Sequence, residues 1–154
     1  MPGQIDARLA ELGLELPPAS PALYSYLPVV IARGLAFVAG QPPLRGTERP
    51  FLGRVGAELS FAQGQDAARL SLLNVLSQLR VALEGDFARV ERCVKLGVFV
   101  NSALDFRGQP LVANAASDLL VEIMGESGRH ARFAVGTIGP ADFACSIEAV
   151  FAVT

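Results

Sequence analysis

Hydrophobic side chains recur at helical spacing in three segments of this chain. Ile5, Leu9 and Leu12 predict a short amphipathic helix over residues 4–14. Residues 63–83 carry the clearest helical pattern, and residues 111–124 carry a second long one. The apolar stripes consist of Ala68, Leu72, Val75, Leu76, Leu79 and Leu83 in the first long helix and of Val112, Ala115, Leu119 and Ile123 in the second. The sequence therefore predicts two long helices, each with one side turned to a core.

The segments between these helices have the apolar patterns that are typical of strands. Residues 26–31 and 35–39 predict two strands joined by a turn. Residues 90–100 predict a central strand, whose buried side would consist of Val94, Leu96, Val98 and Val100. Residues 131–153 predict two further strands, because strong turn residues interrupt an otherwise apolar run.

The order of these elements is helix, two strands, helix, strand, helix, two strands, which indicates an α+β fold. We expect one domain over residues 1–154, with residues 1–19 as a helical extension at the N-terminus. A mixed sheet with the two long helices on one face fits this order. The other face of the sheet would then need cover from further subunits. Residues 40–60, rich in Gly and Pro, predict a long loop, and such loops often carry function.

The two predicted C-terminal strands each carry one conspicuous charge. Arg132 lies in the first strand and Glu148 in the second, and both are surrounded by apolar residues. If the strands form an antiparallel hairpin centred on Pro140, these two side chains face each other. Charges on a mostly buried surface are costly unless they are paired or used, so the pair is the first candidate for chemistry.

Two interpretations of the pair remain open at this point. It could be a cross-strand ion pair that only fixes the register of the strands. Alternatively, Ala134, Gly136 and Ser146 would leave a polar niche around it. A guanidinium in such a niche suits a substrate carboxylate, and a carboxylate beside it could orient or deprotonate a water. His130, the single histidine, is expected in a loop or at a helix end.

The composition narrows the class of protein. The chain is 51% hydrophobic and 18% charged, with a mean hydropathy of +0.40, which favours burial of apolar surface in an oligomer. The net charge is −2 and the basic residues are scattered, so a nucleic-acid groove is not indicated. Cys93 and Cys145 lie in apolar runs and are expected to be buried free thiols. We expect a cytoplasmic protein with no signal peptide, membrane span or metal site.

Five short pieces of the sequence, taken together with their spacing, resemble the YjgF/RidA family of enamine and imine deaminases. They are Tyr26, Ala39-Gly40-Gln41, Asn114, Ala131-Arg132 and Ile147-Glu148-Ala149. The segments around residues 64–83, 112–120 and 128–132 are most similar to a branch often labelled endoribonuclease L-PSP. The resemblance implies a chorismate-mutase-like fold and a homotrimer with its sites between subunits. It also implies a reaction without a cofactor.

The resemblance assigns roles to individual residues. It implies that Arg132 binds a substrate carboxylate and that Glu148 positions the hydrolytic water. Tyr26, a backbone group at Gly40, and Asn114 would line the pocket. The family's deaminases carry a small hydroxyl residue and then cysteine or threonine after the arginine. This chain has Phe133 and Ala134 there, which removes a polar pocket contact at Ala134.

Three functions follow as hypotheses. The first is hydrolysis of 2-aminoacrylate-like enamines and imines to 2-keto acids and ammonia. The second is the endoribonuclease or translation-inhibitor activity that the label of the branch implies. The third is a trimer that binds small carboxylates without catalysis or serves as an interaction module.

Overall fold

A computed structural model of the chain describes residues 4–154. This part of the chain contains three α-helices, five strands and two short 3-10 turns. The helices are α1 (Gln4–Glu11), α2 (Phe61–Ala82) and α3 (Gln109–Met124). The strands are β1 (Val29–Ala32), β2 (Leu35–Gln41), β3 (Val90–Asn101), β4 (Ala131–Thr137) and β5 (Cys145–Val153). The 3-10 turns span Phe87–Arg89 and Gly125–Gly128.

The helices follow the predicted stripes. Helix α2 begins with a capping box, in which the Ser60 side chain accepts from the Gln63 backbone and the Gln63 side chain accepts from the Ser60 backbone. The predicted stripe residues of α2 are all fully buried, and those of α3 are buried as well. Helix α1 is shorter than expected, yet Ile5 and Leu9 join the core.

The sheet has the strand order β1-β2-β5-β3-β4. Strands β3 and β4 are parallel, and the other neighbouring pairs are antiparallel. Because parallel neighbours need a crossover, α3 connects β3 to β4. Strand β5 lies between β2 and β3 and pairs with both. The expected mixed sheet of an α+β fold is confirmed.

This topology contradicts the predicted C-terminal hairpin. Strands β4 and β5 do not pair, because β3 lies between them. Arg132 has Leu96 as its neighbour on β3, whereas Glu148 has Gly97. Successive residues of a strand point to opposite faces of the sheet, so Arg132 and Glu148 lie on opposite faces. The prediction that they face each other within one chain is wrong.

Both long helices pack on one face of the sheet, as expected. Helix α2 lies over β2 and β5, and α3 lies over β4 and β3. Leu96, Val98, Val100, Ile147 and Phe151 are fully buried beneath them. Cys93 and Cys145 are buried free thiols, and burial raises the pKa of each to about 12. Within residues 4–154, no helix is long and apolar enough to cross a membrane.

The opposite face of the sheet, here called the open face, has no helix over it among the described residues. Its apolar side chains are partly exposed, with 45% exposure at Phe37 and 42% at Val135. Val94, predicted on the buried side of β3, is exposed instead, because a bulge between Cys93 and Lys95 shifts the alternation by one residue. Cys93 takes the buried position.

Candidate functional site

The guanidinium of Arg132 is held against the N-terminal half of α3. Its Nη1 donates to Asn114 Oδ1 at 2.9 Å and to Ser117 Oγ at 3.1 Å. Its Nη2 lies 3.4 Å from the carbonyl oxygen of Pro110. Arg132 is only partly exposed, so these acceptors fix the plane of the guanidinium at the boundary between protein and solvent. Asn114, which the resemblance places only in the pocket lining, thus makes a direct hydrogen bond with Arg132.

This arginine has an unusual set of partners. Among residues 4–154, no carboxylate forms an ion pair with Arg132, and no acceptor lies within hydrogen-bond distance of its Nε–H. Both hydrogens of Nη1 are used, whereas Nε–H and one hydrogen of Nη2 remain. An arginine presents such donors as a fork that matches the two oxygens of a carboxylate.

His130 lies directly beside this group, in the short connection between the 3-10 turn and β4. Its Nε2 is 2.9 Å from Ser117 Oγ, and its Nδ1 is 2.6 Å from the Gly128 carbonyl oxygen. Burial lowers the pKa of His130, the Gly128 carbonyl acts in the opposite direction, and the nearby charge of Arg132 lowers it further. The loop position predicted for His130 is correct, and the structure adds its link to Arg132 through Ser117.

Glu148 is the exposed residue in the middle of β5, a strand whose other side chains are buried or half-buried. It lies on the open face above Gly97 of β3. A Cβ at Gly97 would come within 2.8 Å of Glu148 Cγ and Oε1 and within 3.0 Å of Phe133 Cε1. Gly97 therefore provides the space that the carboxylate and the ring occupy.

Phe133 points away from Arg132 and lies on the open face with Glu148. Lys95 Nζ is 5.1 Å from the centre of its ring, and Phe99 meets it edge to face at 5.2 Å. Ala134 lies on the other face with Arg132, beside the fully buried Val98. The two positions that depart from the family pattern thus belong to two different surfaces.

Tyr26 and Gly40 line one cavity of about 370 Å³, whose walls also include Leu23, Leu44, Arg49 and Phe143. A Cβ at Gly40 would lie 2.8 Å from Ser146 Oγ, so any side chain there would displace Ser146. Ser146 alternates with Glu148 along β5, which places both on the open face. Arg49 holds its guanidinium carbon 5.5 Å from the centre of the Phe143 ring.

The predicted site residues therefore form two groups in one chain. The Arg132 half-site contains Arg132, Asn114 and Ala134 and lies at the edge strand β4. The Glu148 half-site is defined as Glu148 on the open face, Gly40, which is close to the neighbouring Ser146, and Tyr26, which shares the cavity with Gly40. The sheet separates the two half-sites, and one chain does not bring them together.

Sequence reasoning missed three residues of these half-sites, Ser117, Gly97 and Arg49. It named Phe133 but did not place it on the open face. Ser117 carried a usable signal, because it lies three residues after Asn114 and so shares its side of α3. Arg49 lies in the loop that was expected to be functional. Gly97 carried no sequence signal, because its role depends on which strands become neighbours in the sheet.

The close packing at Gly97 leads to a testable prediction. We expect Gly97→Ala to lower the free energy of unfolding by about 1 kcal/mol, near the low end for overpacking because Glu148 is exposed and can move. In a Glu148→Ala background the same change should cost less. Urea denaturation of the wild type, the two single variants and the double variant, all at the same protein concentration, measures the coupling between the two positions. Equal costs in both backgrounds would show that Gly97 does not make room for Glu148.

Comparison with known proteins gives a consistent result. A family model described as "YjgF/chorismate mutase-like, putative endoribonuclease" matches residues 6–152. Protein TCP17 of Trypanosoma cruzi is 43% identical over 147 residues, which cover 95% of this chain and 91% of that protein.

Two solved structures share the fold over nearly the whole chain. Protein Atu1372 of Agrobacterium tumefaciens, described as of unknown function, has a TM-score of 0.90 at 39% identity, covering 97% of this chain and 93% of that one. A protein from Shewanella oneidensis described as a "putative endoribonuclease" has a TM-score of 0.93 at 31% identity, covering 97% and 99%.

Proposed function

The chain belongs to the YjgF/RidA family, and we propose that it hydrolyses small 2-imino acids, and the enamines in equilibrium with them, to 2-keto acids and ammonia. The observation that carries this proposal is the state of Arg132. Three acceptors hold its guanidinium, no acidic side chain among residues 4–154 neutralises it, and two donors remain for a carboxylate. A 2-imino acid offers that carboxylate next to its reactive carbon.

The chemistry needs little more than a fixed substrate and a placed water. Water adds to the carbon of the C=N bond and gives a carbinolamine, which then releases ammonia and leaves the 2-keto acid. Glu148 is suited to take a proton from the attacking water, and that proton finally leaves with the nitrogen. Fixing the carboxylate on Arg132 supplies the orientation on which such a step depends.

We propose that each complete site is assembled from two chains. The open face exposes apolar side chains and carries the Glu148 half-site, so a second subunit that covers this face could bring its own Arg132 half-site to Glu148. The cavity around Tyr26 and Gly40 would then border the substrate. This arrangement explains why the two half-sites lie on opposite faces of one sheet.

We therefore predict a homotrimer. Two observations support an oligomer, namely the open apolar face with Phe37 and Val135 and the separation of the half-sites. The family resemblance supplies the number three. Sedimentation equilibrium at micromolar concentration should give three times the chain mass of 16.2 kDa. A monomer at that concentration would contradict both the trimer and the shared site.

Imine hydrolysis can be measured directly. An amino-acid oxidase generates the imine in the presence of semicarbazide, which traps the imine that escapes hydrolysis. We expect the wild-type chain to lower semicarbazone formation and to raise the yield of free 2-keto acid. If it competes with semicarbazide for none of the imines tested, the deaminase proposal fails.

The description of the family and of the Shewanella oneidensis protein as putative endoribonucleases favours a second candidate, RNA cleavage. The net charge of −2 speaks against it, since RNA binding favours a basic surface. Degradation of a defined RNA by the wild type, with loss in Arg132→Ala, would support this candidate. Binding of 2-keto acids without either activity would identify a carboxylate-binding module instead.

A further inference from the structure

We propose that Ser117 and His130 are positioning residues that hold the Arg132 guanidinium in the orientation that binds a carboxylate, and that they do so only while His130 is neutral. This inference rests on the proposed function and deepens it. It concerns a chain of contacts from Arg132 Nη1 to Ser117 Oγ, from there to His130 Nε2, and from His130 Nδ1 to the Gly128 carbonyl.

The direction of each hydrogen bond follows from the groups at the two ends. The Gly128 carbonyl can only accept, so Nδ1 carries a proton. In the neutral ring Nε2 is then the acceptor, and it receives the hydroxyl hydrogen of Ser117. The Arg132 guanidinium can only donate, so the Ser117 oxygen accepts from it. Every donor has one acceptor, and this defines one arrangement.

Protonation of His130 would break this arrangement. Nε2 would become a donor, and the Ser117 hydroxyl would have to give up its acceptor and turn its hydrogen elsewhere. The charged imidazole would also be separated from the Arg132 guanidinium only by the Ser117 hydroxyl. Because Ser117 and His130 are half-buried, water screens this repulsion incompletely. The guanidinium is then expected to shift away from Ser117.

Each element next to His130 carries charged groups. Arg132 is on β4, and Asp118 follows Ser117 on α3. Glu126 on the 3-10 turn forms an ion pair with Arg129, the residue just after that turn. From β3, Arg92 donates to the Arg129 carbonyl. Arg132 is the one among them whose charge acts on the pKa of His130, and it lowers that pKa together with burial. Burial and the charge of Arg132 therefore lower the pKa of His130 and favour its neutral form.

Binding of pyruvate at different pH values tests the proposal. Calorimetry at pH 7.5 should show that Ser117→Ala weakens binding about threefold to tenfold, as expected for the loss of one hydrogen bond. The affinity of the wild type for pyruvate should fall as the pH is lowered and His130 is protonated. His130→Gln keeps an acceptor for the Ser117 hydroxyl but cannot gain a proton. It should bind pyruvate at pH 7.5 like the wild type and lose the pH dependence.

Ser127 serves as a matched control, because its hydroxyl donates to the Met124 carbonyl and does not contact Arg132. Ser127→Ala should leave pyruvate affinity and its pH profile unchanged. If Ser117→Ala and His130→Gln both bind like the wild type at every pH, the positioning role is overturned while the proposed function stands. If the wild type binds no 2-keto acid at all, the proposed function fails and this role fails with it.

Nuclear magnetic resonance tests the same contacts without any ligand. The chain has one histidine, so its ring nitrogens give unambiguous signals. We expect the tautomer with the proton on Nδ1, and we expect Arg132→Met to raise the pKa of His130. A neutral ring with its proton on Nε2 would overturn the proposal regardless of the binding results.

Discussion

Replacing Glu148 by glutamine is expected to slow imine hydrolysis about 10²–10⁴-fold, the usual loss when one general acid–base group is removed. The amide keeps the size of the side chain above Gly97 but cannot accept a proton from water. Because Glu148 is exposed in one chain and has no ion-pair partner among residues 4–154, the substitution should leave folding and assembly intact. Keto-acid formation in competition with semicarbazide gives the rate.

Glu91, an exposed carboxylate near the start of β3, offers a matched control. Glu91→Gln should hydrolyse imines like the wild type. A purely structural Glu148 would give the opposite pattern, in which the glutamine variant loses stability and keeps its full rate per folded molecule. Sedimentation and thermal unfolding of the same samples distinguish the two cases.

Replacing Arg132 by lysine is expected to weaken the binding of pyruvate about tenfold to 100-fold, in the range for lost hydrogen bonds to a charged group. An ammonium keeps the positive charge but cannot hold Asn114 and Ser117 while also presenting two parallel donors. Calorimetry with pyruvate measures the change at constant pH.

The control for this variant is Arg69→Lys, which alters an exposed arginine on α2 that pairs with Asp66. It should bind pyruvate like the wild type. Equal affinity of Arg132→Lys and the wild type would show that charge alone determines binding and that the guanidinium fork has no part in it.

The sequence predicted the helices well because their signal is local. The apolar stripe of α2 repeats every three or four residues within one segment, and its members are buried as that spacing predicts. The capping box at Ser60 and Gln63 is an equally local feature. The α+β class followed from the order of the elements. The bulge near Cys93 was not predictable, because it depends on how β3 pairs with β5.

The strand order could not be read from the chain. Consecutive strands often pair, and the turn residues around Pro140 favoured a hairpin of β4 and β5. The chain instead forms a β–α–β crossover, in which a helix returns the chain so that the next strand lies parallel to the previous one. Helix α3 makes this connection between β3 and β4. Arg132 and Glu148 were therefore singled out for a geometrical reason that was wrong, and their roles in a site stay predictions.

The place of β5 in the sheet has a consequence for how the chain folds. Because β5 fills the gap between β2 and β3, a nascent chain that ends before residue 145 can form α2 and the unit β3–α3–β4 but cannot join them into one sheet. Until then the facing edges of β2 and β3 have unpaired backbone groups, which makes them prone to pairing with other chains. The sheet is therefore completed late, by contacts between residues far apart in sequence, and such contacts favour slow folding.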